Sequence, residues 1–151
     1  MEREFLISDC VLIPTGGSLK SEYRLNRGNP IISYFESIKS PSISLSLQFI
    51  DVDQLVSNKG ITGGEYLKLR ISTTGYDDFE ITPEHKMMLN SVKDVRTSSR
   101  KEMARLEFVS VESIVNETAR LSKKFAGPVS ETVRKILEDD EKGIKTTKSI
   151  N

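Results

Sequence analysis

Ser42-Ile43-Ser44-Leu45-Ser46-Leu47-Gln48-Phe49 alternates without a break between small polar and large apolar residues. Successive side chains of an extended strand point to opposite sides, so Ile43, Leu45, Leu47 and Phe49 share one apolar face. Ser42, Ser44, Ser46 and Gln48 share the other. This is the pattern of a half-buried antiparallel strand. Residues 66–73 repeat it, with Leu67, Leu69 and Ile71 opposite Lys68, Arg70 and Ser72.

Five further segments read as strands on either side of these two: residues 5–12, 31–37, 78–81, 87–95 and 104–110. Gly16-Gly17, Gly28-Asn29-Pro30, Pro41 and Gly75 punctuate them. Pro30 and Pro41 fall at segment edges, where a missing backbone N–H does least harm to a ladder. Seven such segments predict an antiparallel β-barrel or two-sheet sandwich over residues 1–110.

After Ser110 the period lengthens. Ile114, Val115, Thr118, Leu121 and Phe125 approximate helical spacing, with Glu112 early and Lys123-Lys124 late, as a helix dipole favours. Gly127-Pro128 ends this helix, and a second, short one follows over about residues 130–139 with Val133, Ile136 and Leu137 as its apolar stripe. The expected fold class is therefore α+β and mainly β, a barrel or sandwich followed by two C-terminal helices. The helical pair over 111–139 is expected on or beside the β domain, and 140–151 is expected to be a polar tail or linker.

The 22 basic and 22 acidic residues cancel, so no chain-wide attraction to nucleic acid or an acidic membrane is expected. Cys10 is the only cysteine, which excludes an internal disulfide and suits assembly in a reducing cytoplasm. Glu2, Glu4, Ser8 and Asp9 interrupt the opening apolar segment, so it does not read as a secretory signal. No stretch approaches the roughly 18 apolar residues of a membrane span.

Chemistry finds little support. The one histidine, His85, lies in the polar run Pro83-Glu84-His85-Lys86 with no partner to orient it as a base. Cysteine and histidine show no metal-ligand spacing. Gly16-Gly17-Ser18-Leu19-Lys20-Ser21 and Gly60-Ile61-Thr62-Gly63-Gly64-Glu65 lack the phosphate-loop spacing and read as turns or bulges. Arg96, Arg100, Lys101 and Arg105 form a basic segment without interleaved aromatics, which reads as a solvated loop entering a strand. The expectation is a protein that is not an enzyme, with no catalytic or metal-binding residue and no cofactor.

A set of phrases in order along the chain is more telling. Ile31-Ile32-Ser33-Tyr34-Phe35-Glu36-Ser37-Ile38, then Ser40-Pro41, then the alternating strand closing on Phe49-Ile50-Asp51-Val52-Asp53, is followed by Gly63-Gly64-Glu65-Tyr66-Leu67-Lys68-Leu69. Ala104-Arg105-Leu106-Glu107-Phe108-Val109-Ser110 leads to Ser113-Ile114-Val115-Asn116-Glu117-Thr118, and then to Lys124-Phe125-Ala126-Gly127-Pro128-Val129-Ser130 and Val133-Arg134-Lys135-Ile136-Leu137. In order and spacing, from about Phe5 to Leu137, the chain resembles the first part of the central baseplate hub proteins of T-even-like contractile-tailed phages.

That resemblance implies a barrel of the tail-tube type in an axial ring that joins the tail tube to the central spike. The implied partners are further copies of the chain, the tail tube protein, the central spike protein and baseplate wedge proteins. DNA enters only as passing cargo and no membrane is involved. The implied location is the virion, in the tail baseplate, after assembly in the host cytoplasm. Family hubs are much longer and carry two tube-like domains per chain in a trimer. A chain of 151 residues therefore implies a fragment or split hub, or a one-domain relative forming a hexamer. Within this reading the loop over 52–64 contacts an adjoining ring through Leu55, Val56 and Ile61. Ser42, Ser44, Ser46 and Gln48 face the channel or a neighbouring subunit, as an uncharged wall past which DNA slides. Two alternatives share the β-rich expectation: a tail tube or tube-terminator protein, and a binding module unrelated to phages.

Overall fold

Eight strands form one antiparallel sheet among the residues that the computed structural model describes, which are 5–16, 21–58, 60–85, 87–98, 101–118 and 126–138. They are β1 (Phe5–Ile13), β2 (Tyr23–Arg24), β3 (Ile31–Phe35), β4 (Ser44–Asp51), β5 (Tyr66–Thr73), β6 (Phe79–Ile81), β7 (Met87–Ser98) and β8 (Lys101–Ser110). All seven expected strands are present. The extra one, β2, is two residues long and binds β1 at Val11 and Leu12. The fold is mainly β, and of the three α-helices among the described residues α1 (Leu55–Asn58) lies between β4 and β5, while α2 (Val111–Thr118) and α3 (Val129–Glu138) are C-terminal.

Strand order is β2-β1-β5-β7-β8-β4-β3, with β6 beside β5. One edge of β5 pairs along its length with β1. Its other edge is shared, because β6 takes Leu69 to Ile71 while β7 meets β5 at Tyr66. The sheet thus divides at β5 into two halves that wrap one core. Cys10, Leu12, Leu67, Leu69 and Ile81 enter it from one half, and Leu45, Leu47, Phe49, Leu89, Leu106 and Phe108 from the other. In β4 burial alternates at every residue, since Leu45, Leu47, Phe49 and Asp51 point inward and Ser44, Ser46, Gln48 and Ile50 do not.

Of the two expected β architectures, the arrangement is nearer the sandwich. A barrel would need its end strands β2 and β3 to pair, and no such ladder exists among the described residues. Local contacts bridge the halves instead. The Asn26 side chain accepts the Cys10 N–H (3.0 Å) and donates to the Ile7 carbonyl (3.3 Å), which occupies the β1 edge where β2 stops. Gly28 follows in the same turn of 3-10 helix, so close to the Ile50 carbonyl and the Phe49 ring that a Cβ would collide with them. Elsewhere the Tyr34 and Phe79 rings meet edge to face at 5.0 Å.

The chain divides into two compact units, residues 1–110 and 111–151. In the second, α2 begins directly after Ser110, and α3 begins behind Pro128, whose carbonyl accepts the Thr132 N–H. The first helix is expected to continue through residues 119–125, and the tail to occupy 140–151; both segments lie outside the described residues.

Candidate interface

The loop after β4 is built from its own carboxylate. Asp51 ends the strand pointing inward, 2% exposed, and its two oxygens accept the N–H groups of Leu55 (2.7 Å) and Val56 (2.8 Å) at the start of α1. These are orphan donors of a helix terminus, so the buried acid satisfies them and fixes the turn. Ser57 lies 2.8 Å from both oxygens of Glu102 on β8 and donates its hydroxyl to that carboxylate. Leu55 is fully buried in the core, and Val56 and Ile61 pack against it partly buried. The expectation of Leu55 as a projecting contact is therefore corrected. It holds the loop down onto its own domain, because one turn of helix rotates Leu55 inward once Asp51 anchors it.

At the far end of this loop Glu65 is 2% exposed. One of its oxygens accepts the Thr62 N–H (3.3 Å), closing the turn that the glycines permit, since Gly63 and Gly64 have φ near 90°. The turn reading of the second glycine cluster holds. In the first cluster, residues 17–20 lie outside the described residues.

The four polar residues expected to face a channel or neighbour do share the outer surface, each half-buried. Ser42 precedes β4 rather than belonging to it. Ser46 donates to Glu107 on β8 (3.0 Å). Ser42 and Ser44 line a groove of about 290 Å³ with Tyr34, Phe35 and Glu36, and Gln48 lines a smaller cleft with Arg96 and Arg105. The expected uncharged wall is thus limited to β4, because the ladder brings Glu107 and Arg105 of β8 directly beside it. Arg96 and Arg105 are strand residues of the β7–β8 hairpin, not part of a solvated loop.

β3 is a short apolar run with one exposed face. Its one bonded edge faces β4, and no ladder occupies its other edge among the described residues. Ile31 and Phe35 stand on the outer face, 65% and 61% exposed, and Ile38 just beyond is fully exposed. No charge and no proline falls within Ile31–Phe35. Inward, Tyr34 donates its hydroxyl to Glu36 (3.0 Å), and partial burial followed by this carboxylate pushes its pKa up.

Reactive groups are quiet. Burial, with the Asp9 charge adding to it, pushes the Cys10 thiol up to about 12, so it stays a protonated core group at neutral pH. His85 ends the 3-10 turn Pro83–His85, and its side chain lies outside the described residues. No cluster of three or more His, Cys, Asp or Glu able to hold a metal occurs among the described residues. No described helix is long and apolar enough to cross a membrane. No family model matches the chain, and no curated protein matches it.

Proposed function

We propose that the chain is a structural, non-catalytic module of a contractile phage baseplate hub, forming an axial ring that joins tail tube to spike. The observation that carries this reading is the open edge of β3. An edge that carries no ladder among the described residues, uncharged and flanked by exposed Ile31 and Phe35, is a template for another strand, and proteins that must stay monomeric blunt such edges with charge, proline or a covering loop. Addition of a neighbour's strand satisfies the free backbone groups and buries the two side chains. Repeated head to tail around an axis, one such contact closes into a ring of three or six copies. The ordered phrases that resemble hub proteins supply the identity of that ring. In it the tube protein adjoins one side, the spike the other, wedge proteins surround it, and DNA passes through as cargo.

Electron microscopy of the assembled tail at subunit resolution tests the assignment. The chain is expected on the tail axis between tube and spike, in three or six copies joined through β3. Density off the axis, or copies whose β3 edge faces solvent, rejects it.

A further inference from the structure

A ring built head to tail joins two different surfaces of each copy, because an edge that meets itself closes a pair and goes no further. With β3 taken as the joining edge proposed above, its partner is therefore a second surface of the next copy. Of the other edges open among the described residues, those of β2 and β6 are only two and three residues long. On β1, the strand β2 and the Asn26 side chain already bind between Ile7 and Leu12. β7 is different. Its edge toward β5 is bonded at Met88 and Leu89, and then runs on over residues 90–98 with no ladder. That length accommodates the five residues of β3.

The two edges are also complementary in charge. Glu36 follows β3 directly and shares a groove of about 290 Å³ with Tyr34, Phe35, Ser42 and Ser44. It accepts the Tyr34 hydroxyl and forms no ion pair among the described residues. Lys93 and Arg96 of β7 are exposed and likewise form none there. A carboxylate beside two aromatic rings suits a cationic side chain, through its charge and through the ring faces. Register shifts between Leu89 and Ser91 and between Lys93 and Arg96, with the two cations, discourage one β7 edge from joining another. An uncharged strand that ends on an acid meets no such repulsion. We infer that β3 of one copy adds to β7 of the next over residues 90–98, with the Lys93 and Arg96 cations drawn to the Glu36 groove. The contact also covers Ile31, Phe35 and Val95, the last 44% exposed in the single copy.

The test follows association of the full chain by sedimentation velocity at low salt, where surface charges are least screened. It compares the parent, Glu36→Lys, Lys93→Glu/Arg96→Glu, and the combination of all three substitutions. These positions are exposed, so the unfolding midpoint of each variant's single copy stays near the parent's. Each reversal alone brings like charges together and is expected to weaken association by about tenfold or more. The combination exchanges the two signs and is expected to regain most of that loss. Reversals that leave association unchanged, or a combination no stronger than either part, overturn the pairing of β3 with β7. If Ile31→Lys/Phe35→Lys then still abolishes association, β3 joins another surface and the ring stands without this partner. A parent that never associates overturns both.

Discussion

Two segments of this chain carry apolar residues that the sequence leaves open to exposure, residues 52–64 and β3, and they meet opposite fates. Leu55 in the first is fully buried, whereas Ile31 and Phe35 in the second are 65% and 61% exposed. The difference lies in the backbone. In the loop, Asp51 captures the first N–H groups of α1 and turns Leu55 into the core. In β3 one whole edge has no ladder among the described residues, and its outer side chains flank that edge. The proposed interface therefore falls on the segment whose backbone hydrogen bonds are incomplete among the described residues, and not on the one that anchors its own.

The largest effect expected from this contrast is at Leu55. Leu55→Asp places a charge in the core without a partner and should cost about 3–5 kcal/mol, read from chemical denaturation. Phe35→Lys should leave the unfolding free energy of the single copy within about 0.5 kcal/mol. Equal losses at the two positions would erase the distinction. Asp51→Ala, which removes the acceptor for two helix N–H groups, should cost about 1–3 kcal/mol and release α1, seen as faster amide exchange at Leu55 and Val56. Gly28→Ala should cost about 1–3 kcal/mol, because the new methyl meets the Ile50 carbonyl and the Phe49 ring where the 3-10 turn bridges the halves.

How far these features could be read from sequence depends on period. Alternation delineated β5, whose bounds coincide with residues 66–73, and placed β4 within two residues of its observed span. It had no hold on β2, whose two residues are too few to show a period, or on the single turn of α1. It also failed along β7, where register shifts between Leu89 and Ser91 and between Lys93 and Arg96 break the count of two. For that reason the basic residues from Arg96 to Arg105 read as a loop, when two of them line one cleft on adjacent strands. Asp51 was hidden in another way: an acid at the end of an apolar strand looks like the start of a solvated turn, and only the fold shows that it points inward.

An effect confined to alkaline pH, and absent at neutrality, concerns Cys10, on the β1 edge that Asn26 completes. Its thiol pKa is raised in the folded chain, so unfolding releases a proton in the window between the ordinary 9.0 and about 12. Stability from this group is full below pH 9 and declines as pH rises through that window. Cys10→Ala should remove that part of the alkaline slope, measured as unfolding free energy against pH, and an unchanged slope would show that the thiol does not contribute to it.

Sedimentation velocity across a concentration series, on the parent chain and on Ile31→Lys/Phe35→Lys, bears most directly on the role of β3. The expected result is a parent that associates into trimers or hexamers and a variant that sediments as a folded single copy. A parent that remains monomeric at every concentration, or a variant that associates equally well, would contradict an edge that joins copies.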